Sequence, residues 1–160
     1  MSFAELDLDP SLEQALAKMG YDTPTTIQRE AVPAAMDQRD ILGCAPTGTG
    51  KTAAFLLPAI QHLIDFPRTK PGAPRILVVT PTRELANQVH EYAEQLTEFT
   101  ALHPICITGG IDYEVHEEML EKNADILVAT PGRLLDHISR KSIDLSRLSA
   151  LVLDEADEML

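Results

Sequence analysis

The sequence is poor in cysteine, in basic residues and in long hydrophobic runs. Only two of its 160 residues are cysteines, Cys44 and Cys106. Neither belongs to a CxxC or histidine-rich pattern, which argues against a zinc site or a disulfide. Each lies in a short apolar run typical of a buried strand, so both are expected to be reduced core side chains.

Long apolar stretches are also missing, since none approaches the roughly 20 residues of a membrane-spanning helix. The N-terminal residues MSFAELDLDP are acidic and lack the basic and apolar regions of a secretory signal. The chain is therefore expected to be cytoplasmic, with no membrane partner. Its length allows one domain with a sizeable core.

Basic residues are outnumbered, with 13 Lys and Arg against 25 Asp and Glu and a formal net charge of -12. Phosphate binding usually collects Lys and Arg on one face, so this composition argues against a nucleic-acid partner. Net charge does not locate the charges, however, and much of the acid falls in helix-like segments such as EYAEQLTEF. A local groove of backbone amides and a few arginines remains open.

Short β-rich apolar runs alternate with longer amphipathic segments, which predicts an α/β fold with a mainly parallel, buried sheet. Strands are predicted at residues 40–44, 75–79, 104–107, 125–129 and 150–153. Helices are predicted at residues 11–19, 25–36, 52–65, 83–99, 112–122 and 132–140. Because ligands of such sheets bind at the carboxyl ends of the strands, the motifs that follow the strands are the candidate sites.

The motif after the first predicted strand is Gly-rich and ends in Lys and Thr. Its members are Ala45, Pro46, Thr47, Gly48, Thr49, Gly50, Lys51 and Thr52. Glycines let backbone amides turn toward phosphate oxygens, Lys51 would reach the β and γ phosphates, and the Thr52 hydroxyl would hold Mg²⁺. Ala45 departs from the first position of the GxxxxGK[ST] pattern. A Gly-rich turn with a surface lysine is the alternative.

An acidic pair, Asp154 and Glu155, follows the last predicted strand. Asp154 would bind the water shell of Mg²⁺, and Glu155 would polarise the attacking water. Taken alone, the acidic run also fits a solvated helix start. Paired with Lys51 and Thr52 it favours ATP hydrolysis, with Lys51, Asp154 and Glu155 as catalytic residues. A kinase is disfavoured because no second acceptor site is evident.

Nearly the whole chain resembles the DEAD-box RNA helicases of superfamily two. Besides APTGTGKT and DEAD, it carries PTRELA at residues 81–86, GG at 109–110, TPGR at 130–133 and GYDTPTTIQ at 20–28. The resemblance implies a RecA-like, three-layer P-loop domain with a mainly parallel sheet flanked by helices, truncated at its C-terminal side. Residues 1–38 would form the Q-motif segment and N-terminal helices, and residues 39–160 the first RecA-like domain, without the second.

The resemblance also implies residue roles. Gln28 would read the adenine edge, with Phe3 and Tyr21 packed around the base, and Asp157 would couple to the second RecA-like domain. Candidate contacts to the RNA backbone are Pro81, Thr82, Arg83, Gly109, Gly110, Thr130, Pro131, Gly132 and Arg133. Without the resemblance, Gln28 is interpreted as a helix-surface amide, Thr82 and Thr130 as helix caps, and the two arginines as solvated surface residues.

The implied protein binds ATP, Mg²⁺ and RNA, and couples RNA-stimulated ATP hydrolysis to local duplex unwinding or ribonucleoprotein remodelling. A closer similarity, in residues 56–68 and in the opening SFAELDLDPSLEQAL, is to a bacterial branch linked to assembly of the large ribosomal subunit. A ribonucleoprotein or ribosomal precursor is therefore an expected partner. Two alternatives stay open: an ATP-driven clamp or scaffold that needs no unwinding, and a DNA helicase with a related core.

Overall fold

A computed structural model describes residues 2–46 and 48–160 of the chain. These residues cluster into two compact units. The first contains the residues up to Pro67 together with Gln95–Ala101, and the second contains Arg68–Glu94 and Leu102–Leu160. The domain boundary proposed between residues 38 and 39 stays a prediction.

The first unit is helical. It contains a 3-10 helix at Phe3–Leu6, α1 at Pro10–Lys18, α2 at Thr26–Met36 and α3 at Lys51–Asp65. The start of α1 is fixed by the Asp9 carboxylate, which accepts a hydrogen bond from the Ser11 backbone N–H at 3.0 Å, and by a proline at the first helical position. These helices lie within one residue of the predicted ranges.

The most hydrophobic of these helices is α3, whose residues Leu56, Leu57, Ile60 and Leu63 are almost completely buried. Their spacing places them on one face of a 3.6-residue helix, which gives the unit its core. Gln61 on the same helix is buried as well, and its Oε1 accepts the backbone N–H of Asp9 at 2.7 Å. The segment before α1 is thereby tied to α3.

The second unit contains a parallel sheet. Its described strands are β1 (Ile76–Val79), β2 (Pro104–Ile107), β3 (Ile126–Ala129) and β4 (Ala150–Leu153), and they pair in the order β2-β3-β1-β4. Its helices are α4 (Arg83–Leu96, whose last two residues belong to the first unit), α5 (Tyr113–Lys122) and α6 (Pro131–Ser139), and a 3-10 helix follows at Ala156–Met159. The central strands β1 and β3 are buried at every position, as their continuous apolar runs predict.

The strand predicted at residues 40–44 is wrong. This segment has no regular secondary structure, and it is not a member of the described sheet, whose strands are β1 to β4. Leu42 is 96% exposed and Cys44 is also exposed, which corrects the expectation of a buried cysteine. Apolar composition favours a strand, but a strand also needs a neighbour for its backbone groups, and the sequence does not reveal whether one is present.

Cys106 is in β2 as expected, and it is half-buried. Burial raises the pKa of its thiol to about 11, so the side chain stays protonated and unreactive near neutral pH.

Arg68 joins a loop to the amino end of the sheet in the second unit. Its guanidinium donates hydrogen bonds to the carbonyls of Gly72 and Ala73, to Asn123 Oδ1 and to Asp125 Oδ1, the last at 3.0 Å. The other Asp125 oxygen accepts the backbone N–H of His103 at 2.7 Å. This carboxylate is buried, and the donors named above satisfy both of its oxygens.

Arg68→Ala is expected to lower the free energy of unfolding by about 3 kcal/mol, because it leaves the buried Asp125 charge without its cation. Lys18→Ala is the control, since Lys18 pairs with Glu98 at an exposed site and should change stability by less than about 1 kcal/mol. Urea unfolding of both variants measures the difference. Equal losses would show that the Arg68 network does not stabilise the sheet.

Candidate functional site

The Gly-rich loop of the first unit leads directly into α3. Gly48 and Gly50 have φ angles of +87° and +84°, a left-handed conformation that glycine adopts without strain. Gly50 is the N-cap residue of α3, so the positive end of the helix dipole lies at the Gly-rich loop, an arrangement that favours an anion. Lys51 and Thr52 occupy the first two helical positions, as a phosphate site requires.

Gln28 holds this loop from the side of α2. It is 3% exposed, its Oε1 accepts the Thr25 backbone N–H at 2.9 Å, and its Nε2 donates to the Gly50 carbonyl at 3.1 Å. The interpretation of Gln28 as a helix-surface amide is therefore wrong. One amide both caps α2 and fixes the residue at which α3 begins. Thr25, which the sequence reasoning did not single out, is the backbone partner in this arrangement.

An open cavity of about 370 Å³ lies between the start of α2 and the Gly-rich loop. Its walls include Thr25, Ile27, Ala45, Pro46 and Thr49, so it combines the Q-motif segment with the expected phosphate loop. Thr47, another candidate of that loop, lies outside the described residues.

The two aromatic residues expected near the adenine base differ in burial. Phe3 is 7% exposed within its 3-10 helix, whereas Tyr21 is 41% exposed. Their packing around a base stays a prediction.

Gly50→Ala is expected to weaken ATP binding at least tenfold. A Cβ at Gly50 would lie 2.3 Å from Gln28 Nε2 and 3.1 Å from Thr25 Oγ1, so the buried amide would have to leave its backbone partners. Gly48→Ala is a matched control, because its φ angle is equally unfavourable but its Cβ would meet nothing within 4 Å. The Gly48→Ala variant should be destabilised only by the left-handed backbone strain of its alanine, about 1–2 kcal/mol. Equal loss of ATP affinity in the two variants, measured by titration, would contradict the role of Gln28.

The second unit brings the remaining motifs to one edge of its sheet. The strand register aligns Val79 with Ala129 and with Leu153, and aligns Ile107 with Ala129. The residues that follow these four strand ends are PTR at 81–83, GG at 109–110, TPGR at 130–133 and DE at 154–155. The sheet therefore places all four motifs side by side, as the rule for parallel sheets predicts.

Two of these loops meet through Arg83. Its side chain is exposed and packs on Gly110, where a Cβ would lie 3.2 Å from the guanidinium Nη1. Thr82 caps α4 by accepting the Leu85 backbone N–H at 3.1 Å, so its interpretation as a helix cap is confirmed. Thr130 precedes α6 but forms no side-chain cap. A threonine hydroxyl and a guanidinium thus lie at this edge beside glycines, and these groups suit a phosphate backbone.

Arg133 is not the solvated surface residue of the alternative interpretation. Its guanidinium donates to the Ile111 carbonyl and stacks over the Tyr113 ring, 4.1 Å from the ring centroid. Beneath it, His116 and His137 are fully buried and their rings are hydrogen bonded, with 3.2 Å between His116 Nδ1 and His137 Nε2. Sequence reasoning missed this cluster, because an isolated His on an amphipathic helix gives no signal of a partner 21 residues away.

The histidine pair is electrically neutral near physiological pH. Burial, reinforced by His137 and Arg133, lowers the pKa of His116 to about 4. Burial also lowers the pKa of His137, again with a contribution from Arg133. Arg133 therefore packs against neutral imidazole rings and not against a positively charged histidine.

The acidic motif begins where β4 ends. The Asp154 backbone N–H donates to the Val79 carbonyl at 2.9 Å, which extends the ladder by one residue. Glu155 follows in a left-handed conformation, with φ +53°, and the chain then turns into the 3-10 helix that carries Asp157. The hydrogen-bonded ladder therefore ends at Asp154, and Glu155 is the residue at which the chain turns.

No group of three or more His, Cys, Asp or Glu side chains in the described ranges is arranged to hold a metal ion. The magnesium ligands expected from the sequence, Thr52 and Asp154, stay a prediction. Among the described helices, none has the length and apolar character needed to cross a bilayer.

The family model "DEAD/DEAH box helicase" matches residues 25–160. The chain belongs to the DEAD/DEAH box helicase family. Two similar relatives are named ATP-dependent RNA helicase SrmB: that of Haemophilus influenzae is 59% identical over 158 residues and that of Escherichia coli is 56% identical over 159. Both alignments cover 99% of this chain and 36% of the relative. The ATP-dependent RNA helicase DeaD of Klebsiella pneumoniae is 48% identical over 163 residues, which is 24% of its length.

Membership in this family confirms the resemblance noted in the sequence. The all-parallel sheet and its helices fit part of a RecA-like α/β domain, as expected. The chain spans about a third of the length of the SrmB relatives that it matches.

Proposed function

We propose that the protein containing this chain is an ATP-dependent RNA helicase, in which RNA-stimulated ATP hydrolysis drives local duplex unwinding or ribonucleoprotein remodelling. The main support for the proposal is the register of the sheet, which places the loops after β1, β2 and β3 at the same edge as Asp154 and Glu155. These three loops contain residues that suit phosphate binding. This chain contributes the ATP site and half of the RNA site. The names of its relatives support the same activity.

The ATP site would be built on the first unit. The amides at the start of α3 bind the phosphates, and Lys51 neutralises charge on the β and γ phosphates. Gln28 can read adenine without releasing the loop, since an amide has a second oxygen lone pair and a second N–H beyond those bonded to Thr25 and Gly50. Recognition of the base would then stabilise the loop that holds the phosphates.

Thr52 and Asp154 would hold Mg²⁺, partly through water, and the ion would neutralise charge on the phosphates. Glu155 accepts a proton from, or orients, the water that attacks the γ phosphorus, and the β–γ bridging oxygen leaves with ADP. Asp157 would couple these residues to the second RecA-like domain.

The RNA groove would be built on the loops after β1, β2 and β3. Arg83 and Arg133 supply charge, Gly109, Gly110 and Gly132 allow close approach, and Thr82, Thr130, Pro81 and Pro131 shape the loops. Because these groups suit the sugar-phosphate backbone, binding would be independent of base sequence. A net charge of -12 is compatible with such a groove, since two arginines at one edge create a local positive site.

The resemblance to the branch linked to the large ribosomal subunit further suggests a ribosomal precursor as the ribonucleoprotein partner and the cytoplasm as the location.

RNA is expected to stimulate ATP hydrolysis by the full-length protein at least tenfold, whereas DNA of the same sequence and length should stimulate it less than twofold. The test is phosphate release measured with each polymer. The ionic strength is kept fixed, because binding to a nucleic-acid backbone depends on the salt concentration. Equal stimulation by both polymers would favour a DNA helicase with a related core.

A further inference from the structure

Tyr113 stands at the centre of the cluster around Arg133. It is the first residue of α5, and Arg133 and Asp136 are neighbours one turn apart on α6. The face of the tyrosine ring lies against the Arg133 guanidinium at 4.1 Å, and its hydroxyl donates to Asp136 Oδ2 at 2.8 Å. One side chain thus contacts both a cation and the nearest carboxylate on the same helix.

The pairing of Asp136 has an electrostatic consequence. An Arg and an Asp at positions i and i+3 of a helix are neighbours on its surface and can form an ion pair. In the described chain Arg133 forms no ion pair, because Asp136 is bonded to Tyr113 and the other nearby carboxylate, Glu117, is paired with Arg140 at 2.9 Å. The hydrogen bond to Asp136 also raises the pKa of Tyr113, so the hydroxyl remains a donor at any working pH.

Arg133 is nevertheless held firmly in place. Its guanidinium donates to the Ile111 carbonyl, rests on the Tyr113 ring and lies 3.5 Å from Nδ1 of the buried His116. Each of these contacts is with a neutral group. The Arg133 guanidinium is therefore oriented but keeps its full positive charge, and both properties favour binding of a phosphate.

We propose that Tyr113 is a positioning residue for RNA binding. Its ring orients the Arg133 guanidinium. Its hydroxyl donates a hydrogen bond to Asp136, so that this carboxylate does not form an ion pair with Arg133. The inference rests on the proposed role of Arg133 at the RNA backbone. Tyr113 itself need not touch RNA.

The test compares variants of the full-length protein by fluorescence anisotropy with a single-stranded RNA and a non-hydrolysable ATP analogue. Arg133→Ala should weaken RNA binding about tenfold, and Tyr113→Leu about fivefold, because the guanidinium loses its stacking surface. In the Arg133→Ala background, Tyr113→Leu should change RNA affinity less than about 1.5-fold, since a residue that acts through Arg133 has nothing left to position. Tyr92→Leu, a half-buried helical tyrosine of α4, is the matched control and should leave RNA affinity unchanged.

Tyr113→Phe separates the two roles of the side chain. It keeps the ring and releases Asp136, so RNA binding should weaken about threefold, and adding Asp136→Asn should restore it. Asp136→Asn alone should change RNA affinity by a smaller factor than it does in the Tyr113→Phe background. A purely structural role of Tyr113 would not produce this rescue.

Three results would overturn the inference: an equal effect of Tyr113→Leu with and without Arg133, no rescue by Asp136→Asn, or no loss of RNA affinity in the Tyr113 variants while Arg133→Ala weakens binding. These results concern Tyr113 alone. Failure of the proposed function would instead be seen in the wild-type protein, as absence of RNA-stimulated ATP hydrolysis.

Discussion

Glu155→Gln in the full-length protein is expected to lower kcat for RNA-stimulated ATP hydrolysis by about 10³-fold. The substitution keeps the size of the side chain and removes the carboxylate that would orient and deprotonate the attacking water, an effect comparable to the loss of other preorganised catalytic groups. ATP affinity should change less than about threefold, because in the proposed site the loop before α3 would bind the phosphates and this carboxylate would not.

Glu158→Gln is the matched control, since it makes the same change at an exposed position of the 3-10 helix that follows. It should retain kcat within about twofold. Steady-state phosphate release gives kcat, and titration with a fluorescent ATP analogue gives affinity. A Glu155→Gln protein that keeps a tenth or more of the wild-type kcat would remove Glu155 from the catalytic step.

The isolated 160-residue chain is expected to hydrolyse ATP about 10³- to 10⁵-fold more slowly than the full-length protein. The reason is that an arginine supplied by another domain typically accelerates such hydrolysis by this factor, and the second RecA-like domain implied by the resemblance would supply it. The loop, Gln28 and Lys51 are within the chain, so weak nucleotide binding should persist. RNA should give no measurable stimulation, since in the proposed function this chain would supply only half of the RNA groove.

The measurement is phosphate release by the isolated chain and by the full-length protein at equal concentration, with and without RNA. Circular dichroism of the chain serves as the control, because helix content shows that low activity does not reflect unfolding. Substantial RNA-stimulated hydrolysis by the chain alone would contradict the division of the site between two domains.

Periodicity predicted most of the fold. The strand at residues 104–107 and the strand at residues 150–153 have the predicted bounds, and the helices lie within three residues of theirs. Local apolar patterns were sufficient there because the elements also have neighbours to pack against. The exception, residues 40–44, has the same apolar pattern but no paired strand in the described chain. Pairing is a long-range property, so composition could not predict its absence.

In the candidate site, the sequence predicted the positions of the motifs but not the contacts of their side chains. The motifs after each strand could be placed because parallel strands end at a common edge. The burial of Gln28 could not, since its two partners include a carbonyl 22 residues away. The sequence also did not predict the cluster of Tyr113, His116 and His137 behind Arg133. This cluster depends on the packing of α5 beside α6, and each of its residues alone is compatible with a helix surface.

Strand release from a short RNA duplex by the full-length protein tests the central claim most directly. With ATP and Mg²⁺ the wild type is expected to separate the duplex over many turnovers, and the Glu155→Gln protein is expected to bind RNA yet fail to turn over. Annealing controls and a DNA duplex of the same sequence complete the comparison. Equal multiple-turnover release by both proteins would contradict the proposed coupling of unwinding to hydrolysis at Glu155. RNA-bound wild-type protein that never releases a strand would contradict an RNA helicase and favour a clamp or scaffold.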